Sequence, residues 1–244
     1  MDRAGVLAAS RDEARRWAGQ RVSEVTPSRR DFALYVSTQR TSLAVVARLA
    51  PAARRSNAAQ LIADARAWDD AEVAALAVAT VPGEYALDAV QAVAGATSAP
   101  ILRDDLIVHP AQLYATRLHG ADAAVLPAGD LDPALLHELV TVARSLHMAA
   151  IVEVLGNAGL ETALQLPHVI IGIRCTDVQN RLDVIRARAL AEQVPSQHSV
   201  LVLTEITAAA EAEALRGVCD AIVVGDAVLA PGGLAELVQR LSGS

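Results

Sequence analysis

Several acidic and basic side chains stand at or just after the ends of short aliphatic runs of the sequence. They are Glu153, Glu205, Asp104, Asp105, Arg48 and Arg174. Carboxylates can move protons when burial or a neighbouring charge shifts their pKa values. The planar guanidinium of arginine binds carboxylates and phosphates through two parallel hydrogen bonds. These residue types therefore predict a site for a small anionic ligand at which carboxylates handle protons.

Such side chains act together only if the ends of the aliphatic runs meet in the folded chain. Eight β-branched or aliphatic runs alternate with longer amphipathic stretches, a pattern typical of parallel strands joined by crossover helices. The predicted strands are 43–47, 73–78, 101–102, 123–126, 150–154, 169–173, 200–203 and 221–224. The predicted helices are 56–68, 84–95, 110–119, 131–146, 157–165, 180–193, 207–217 and 231–241.

Eight strand–helix units predict an α/β fold, a (β/α)8 TIM barrel, because continuous apolar strands are expected where helices cover a parallel sheet. An open doubly wound sheet is the alternative, but no glycine-rich dinucleotide turn follows the first strand, where Arg48-Leu-Ala stands. We predict one barrel over 41–244 and an N-terminal extension, 1–40, packed on it, with a helical pattern from 11 to 20. Functional groups of such barrels lie at the carboxyl ends of the strands.

Composition excludes several classes of partner. With 244 residues, of which 53% are hydrophobic, the chain can bury one large core, and its net charge of −7 argues against nucleic acid. No apolar run reaches the roughly 18 residues of a membrane span, and acids and arginines stand where a signal peptide needs apolar residues. We expect a cytoplasmic protein without membrane partners. Cys175 and Cys219 lie in or beside apolar runs and are expected to be small buried side chains.

All 21 basic residues are arginine, and the chain contains no lysine. Lysine is ordinarily among the commonest residues. The simplest hypothesis for its absence is coding bias, since alanine, arginine, valine and leucine dominate throughout. Whatever the cause, neither a Schiff base nor an ammonium acid can come from this chain.

Several motifs together resemble the indole-3-glycerol phosphate synthases. The segment 100–108, Pro-Ile-Leu-Arg-Asp-Asp-Leu-Ile-Val, is followed by Gln112 and by Gly-Ala-Asp-Ala-Ala-Val-Leu at 120–126. The likeness continues through Ile-Val-Glu-Val at 151–154, Ile-Gly-Ile at 171–173, Thr-Glu at 204–205 and Asp-Ala-Ile-Val-Val-Gly at 220–225. These motifs cover roughly residues 40–240 in the family's order.

The resemblance implies an activity and a set of site residues. That family closes an anthranilate-bearing deoxyribulose phosphate to an indole with loss of carbon dioxide and water. The reaction needs a lysine acid, carboxylates that handle protons and an anion site, with no metal or other cofactor. By this resemblance Glu153 and Glu205 are retained carboxylates. The ligand-binding positions are Arg48, Arg174, Asp177, Gly225 and Asp226.

The sequence departs from the family at the reactive positions. Val45 stands for a glutamate and Ala47 for a lysine in the first strand, and Asp104 stands for the lysine expected to act as general acid. Thr207 replaces a glycine of the phosphate site, and a guanidinium moves two residues earlier to Arg174. Asp104 could donate a proton only if burial, or another acid such as Asp105, raised its pKa. Ordinary synthase turnover is therefore not expected.

Three functions fit these observations. In the first, Arg48, Arg174 and the Gly225 turn hold a small phosphorylated or carboxylated ligand while Glu153, Asp104 and Glu205 handle protons. In the second, the barrel is catalytically inactive and serves as a regulatory or partner-binding protein, with a protein partner or a second copy of the chain. Glu153 would then be an ion-pair partner of Arg103 or Arg174.

The third and weakest possibility is a metal site built from carboxylates, because hard cations favour several oxygen ligands. Its ligands would be Asp104, Asp105, Glu153, Asp177 and Glu205. No histidine joins them at ligand spacing, so we predict no metal.

Overall fold

A computed structural model describes residues 2–18, 25–50, 58–80, 86–225 and 233–242. Eight parallel strands form a closed barrel in chain order, and the last strand pairs with the first. The predicted TIM barrel is confirmed. The strands are β1 Ala44–Leu49, β2 Ala75–Ala79, β3 Ile101–Leu106, β4 Ala123–Pro127, β5 Ala149–Val154, β6 Ile170–Ile173, β7 Val200–Ile206 and β8 Ala221–Val224.

Helices follow the strands around the outside of the barrel. Among the described residues, two helices precede β1, namely α1 Arg3–Ala18 and α2 Phe32–Val36. The others are α3 Ala58–Asp70, α4 Ala86–Ala96, α5 Pro110–Leu118, α6 Pro133–Ser145, α7 Asn157–Ala163, α8 Val184–Ala191, α9 Ala209–Leu215 and α10 Gly233–Ser242. No helix in the described ranges is both long and apolar enough to cross a membrane.

Several predicted boundaries were wrong, among them the start of the N-terminal helix and the end of β3. The N-terminal helix begins at Arg3, eight residues before the predicted start at 11. Strand β3 continues to Leu106 instead of ending at 102, because Arg103 and Asp105 are buried and paired although they interrupt the apolar run.

Successive residues of each strand face opposite sides of the barrel wall. The interior core is built from one set, which includes Val46, Ala77, Leu102, Val125, Ile151, Leu201 and Val223. The other set packs against the surrounding helices and includes Val45, Ala47, Leu76, Ala124, Val152, Ile171 and Val202. We call the opening at the carboxyl ends of the strands the mouth. Side chains that continue the inward-facing row of a strand beyond the core reach this mouth.

Strand β1 overturns one expectation. Val45 and Ala47, which stand for a glutamate and a lysine of the resembled family, pack outward with the helices. They do not line the mouth. The side chain that continues the inward row of Ala44 and Val46 is Arg48, so β1 does present a basic group to the mouth.

The N-terminal extension packs on both ends of the barrel. Phe32 and Val36 of α2 belong to the interior core. Asp220, at the start of β8, accepts hydrogen bonds from the amides of Thr38, Arg40 and Val200. These contacts close the amino-terminal end of the barrel, so the opposite end is left for a site.

Asp122 makes the equivalent clamp at the start of β4. Its carboxylate accepts hydrogen bonds from the Ile101 amide, the Ser28 hydroxyl and Arg117. The Gly-Ala-Asp motif at 120–122 is therefore explained by structure, because it anchors the extension to the barrel.

Candidate functional site

Five of the predicted site residues reach the mouth because each lies two positions beyond an interior residue of its strand. Their side chains follow the inward row of β1, β3, β5, β6 and β7. The five residues are Arg48, Asp104, Glu153, Arg174 and Glu205. Catalytic and binding groups of TIM barrels occupy this face.

Asp104 joins two arginines from opposite parts of the barrel. Its Oδ2 accepts a hydrogen bond from Nε of Arg48 at 2.7 Å, and its Oδ1 accepts one from Nη2 of Arg174 at 2.9 Å. The Asp104 side chain is only 3% exposed. Both oxygens of this buried carboxylate are thus used by guanidinium groups.

Glu153 is held in the same way between two arginines. Arg174 donates from Nε to Oε1 at 2.5 Å, and Arg3 donates from Nη2 to Oε2 at 2.5 Å. Arg3 comes from α1 and also bonds Asp130, which follows β4, with an Nη2–Oδ2 distance of 2.6 Å. Of the two partners predicted for Glu153, the structure selects Arg174 and places Arg103 elsewhere.

Glu205 pairs with Arg48, the other arginine that Asp104 holds. Its Oε2 accepts a hydrogen bond from Nη1 of Arg48 at 3.0 Å. Its side chain also lies against Gly225, where a Cβ atom would come within 1.6 Å of Oε1. The Glu205 carboxylate occupies the space beside the Gly225 backbone, and a larger residue at 225 would displace it.

These contacts form one continuous series of alternating charges, which we call the mouth network. In order, it consists of Glu205, Arg48, Asp104, Arg174, Glu153, Arg3 and Asp130. With four carboxylates and three guanidinium groups, the network carries one negative charge in excess.

The charged side chains of the mouth network differ in how far they are exposed to solvent. The central carboxylates of Asp104 and Glu153 are essentially buried, whereas the three arginine side chains are 26–31% exposed. The terminal carboxylates of Glu205 and Asp130 are 32% and 22% exposed, so the solvent meets three guanidinium edges flanked by two carboxylates. Such a surface can bind an anion because each guanidinium carries five N–H donors in a fixed plane.

The electrostatics corrects the expectation that Asp104 could donate a proton. Burial would raise the pKa of Asp104, but Arg174 and Arg48 outweigh it and hold the pKa below its ordinary value. Burial would likewise lower the pKa of Arg174, but Asp104 and Glu153 raise it. Asp104 is an ionised anchor in this arrangement and not a general acid.

Asp105 follows Asp104 in sequence but faces the outside of the barrel wall. Burial raises the pKa of Asp105 to about 6, despite the guanidinium of Arg103, whose Nη2 donates to Oδ2 of Asp105 at 2.9 Å. Asp105 therefore cannot act on Asp104 across the wall in the way predicted from sequence.

The structure does not bring Asp177 into the mouth network. Its carboxylate accepts hydrogen bonds from the amides of Gln179 and Arg181 and pairs with the Arg181 side chain. These contacts shape its own loop and lower the pKa of Asp177. Asp226, also predicted as a ligand-binding residue, lies outside the described residues.

A metal site receives no support from the described part of the chain, where no group of three or more histidine, cysteine or carboxylate side chains could hold an ion. Asp105 is paired with Arg103, and Asp177 bonds residues of its own loop. The remaining candidates, Asp104, Glu153 and Glu205, are each paired with arginine.

Sequence reasoning missed two members of the network, Arg3 and Asp130. Arg3 precedes the first strand by about forty residues, and neither residue belongs to a recognised motif. The only available signal for Asp130 was its place just after the fourth predicted strand. Nothing in the local sequence marks Arg3.

Comparison with known proteins agrees with this architecture. The family model for indole-3-glycerol phosphate synthase matches residues 3–241. The indole-3-glycerol phosphate synthase of Mycolicibacterium vanbaalenii is 32% identical over 211 residues, which cover 82% of this chain and 77% of that protein. That of Mycolicibacterium smegmatis is 31% identical over 182 residues, covering 72% of this chain and 66% of that protein.

Solved structures share the fold at much lower identity. The tryptophan synthase alpha-subunit of Pyrococcus furiosus, in a mutant form, matches with a TM-score of 0.58 at 14% identity. The match covers 83% of this chain and 99% of that one. The structural likeness supports the barrel alone, whereas the family model and the curated relatives extend over most of the sequence. The chain belongs to the indole-3-glycerol phosphate synthase family.

Proposed function

We propose that the mouth binds a small phosphorylated or carboxylated metabolite and that ordinary synthase turnover has been lost. The observation that carries the proposal is the joining of Arg48 and Arg174 through Asp104. One buried carboxylate positions two partly exposed guanidinium groups, whose edges face the solvent.

Loss of synthase activity is inferred from the chemistry of the residues present. No lysine exists in the chain, and the inward position of β3 carries Asp104, whose pKa is held low by two arginines. Removing a positioned acid or base typically costs about 10²–10⁴-fold in rate. An ionised carboxylate cannot replace an ammonium acid, because it has no proton to give.

Glu205 indicates where an anionic group of the ligand would bind. Its carboxylate bonds Arg48 and lies against Gly225, at the end of the barrel where the loops after the seventh and eighth strands often bind phosphate. Glu205 is also partly exposed, so its flexible side chain can move aside. A ligand phosphate or carboxylate would take its place on Arg48.

Calorimetric titration with inorganic phosphate and with anthranilate tests this proposal. Wild type should bind at least one of them saturably, and Arg174→Gln should weaken binding by about tenfold or more, since a hydrogen bond to a charged group is worth roughly 1.5–3 kcal/mol. Arg188→Gln is the matched control, because Arg188 is a surface arginine paired with Glu192.

Circular dichroism should show both variants folded. Saturable binding that Arg174→Gln leaves unchanged would contradict the assignment of the site. If wild type binds neither compound, the ligand-binding proposal fails, and a catalytically inactive, partner-binding barrel becomes the better account.

A further inference from the structure

We propose that Arg3 of the N-terminal helix is a binding residue of the mouth, so that the ligand site is incomplete without α1. This inference depends on the proposed function and adds a residue that no motif of the sequence indicates. It makes the extension part of the site and not only part of the scaffold.

The first support is the position of Arg3 within the mouth network. Its guanidinium bridges Glu153 and Asp130, at 2.5 and 2.6 Å. Arg3 therefore holds the second oxygen of Glu153, while Arg174 holds the first. The orientation of the Glu153 carboxylate is fixed from both sides, and one of these sides belongs to α1.

The second support is the donor capacity that Arg3 retains. Its Nε and Nη2 donate to Asp130 and Glu153, whereas Nη1 donates to no other described residue. The Arg3 side chain is about as exposed as those of Arg48 and Arg174. Arg3 thus contributes a third partly exposed guanidinium edge to the mouth, beside those of Arg48 and Arg174.

The third support is a buried anchor that fixes α1 on the barrel. Glu13, on the same helix, pairs with Arg103 at 2.6 Å and accepts a hydrogen bond from Nε2 of Gln112 at 2.8 Å. Ser10 of α1 donates to the Leu106 carbonyl and accepts from Gln112. Every polar side chain of this anchor is buried.

A buried polar network of this kind is satisfied in one arrangement only, because an unpaired charge in a low-dielectric region is costly. Glu13 and Arg3 are ten residues apart, which is roughly 15 Å along a helix. Contacts at both ends of α1 therefore set its position, and Arg3 is directed at Glu153 by packing and not by chance.

The test compares phosphate affinity in four forms of the full chain. They are wild type, Arg3→Gln, Arg3→Lys and Arg15→Gln, where Arg15 is an exposed arginine of the same helix paired only with Asp12 among described residues. We expect Arg3→Gln to weaken phosphate binding by about tenfold, since one charge-assisted donor is lost and Glu153 competes more strongly for Arg174.

The controls separate a role in the site from a role in stability. Arg3→Lys should recover part of the affinity because it restores the charge without the planar fork, and Arg15→Gln should bind like wild type. If the role of Arg3 were purely structural, Arg3→Gln would lower the thermal midpoint. The phosphate affinities of the four forms would then not follow this order.

Phosphate binding by wild type that Arg3→Gln leaves within twofold would overturn the role of Arg3 alone. If wild type binds anthranilate but not phosphate, the role of Arg3 in binding phosphate is overturned and the proposed function stands. If wild type binds neither compound, both are overturned.

Discussion

Asp104 and Arg174 connect β3 with β6 across the mouth of the barrel, through an Oδ1–Nη2 hydrogen bond of 2.9 Å between residues 70 positions apart. The same carboxylate also holds Arg48 of β1. The position at which the resembled family has a lysine acid therefore carries the anion that organises two arginines. An anionic side chain therefore stands where the family has a cationic one, and the behaviour of the mouth depends on this replacement.

Asp104→Asn should destabilise the protein by about 3 kcal/mol, because it leaves two guanidinium groups without their shared carboxylate. Since the pKa of Asp104 is lowered in the folded state, its stabilisation is present above the unfolded pKa near 4 and is lost as pH falls through the folded pKa. Urea unfolding at pH 7 and at lower pH measures this. Asp12→Asn, at an exposed ion pair, is the control. Equal unfolding free energies for Asp104→Asn and wild type at pH 7 would refute the anchoring role.

Glu205→Gln should tighten the binding of inorganic phosphate several-fold. The substitution removes a carboxylate that competes for Arg48 and eliminates the negative charge in excess in the mouth network. Calorimetric titration measures the effect, with Glu192→Gln as a control at an exposed carboxylate paired with Arg188. Weaker phosphate binding by Glu205→Gln would instead indicate that Glu205 supports the ligand.

Asp105→Asn should remove a specific pH dependence of stability. The pKa of Asp105 is raised from about 3.8 to about 6 on folding. Protonation of Asp105 therefore stabilises the folded state relative to the unfolded state. This contribution is complete below pH 3.8 and is lost as pH rises through about 6. It amounts to about 3 kcal/mol for a shift of two units.

Urea unfolding of wild type and Asp105→Asn between pH 4 and 7 isolates this contribution, because other groups cancel in the difference. The stability of wild type relative to the variant should fall with rising pH. Parallel curves for the two proteins would show that Asp105 does not titrate in this range.

Much of the fold follows from the sequence because strand–helix alternation and apolar strands leave few architectures open. The ends of the strands were predictable for the same reason, and Glu153, Asp104, Arg174 and Glu205 do meet at the mouth. The motifs at these positions are short, but each is tied to the end of a strand, where parallel geometry brings side chains together.

The orientation of β1 was not predictable from its residues. The run Ala-Val-Val-Ala at 44–47 is apolar on both faces, as expected for a strand covered by helices, so it contains no alternation that distinguishes inside from outside. The alignment with the family placed Val45 and Ala47 at the mouth. The structure places Arg48 there instead.

The role of Arg3 also lay beyond the sequence. Arg3 and Glu153 are 150 residues apart, and an ion pair over that separation leaves no periodic or local signal. Similarly, the buried pair of Glu13 and Arg103 is formed only when α1 packs beside β3. Contacts of this type are consequences of the tertiary structure.

The most direct test is to incubate the purified chain with the anthranilate-bearing deoxyribulose phosphate while following both heat of binding and indole fluorescence. We predict saturable binding, weakened by Arg174→Gln, without formation of the indole product. Steady indole formation by wild type that Glu153→Gln abolishes would contradict the account, because it would show that the synthase reaction proceeds in a mouth without lysine.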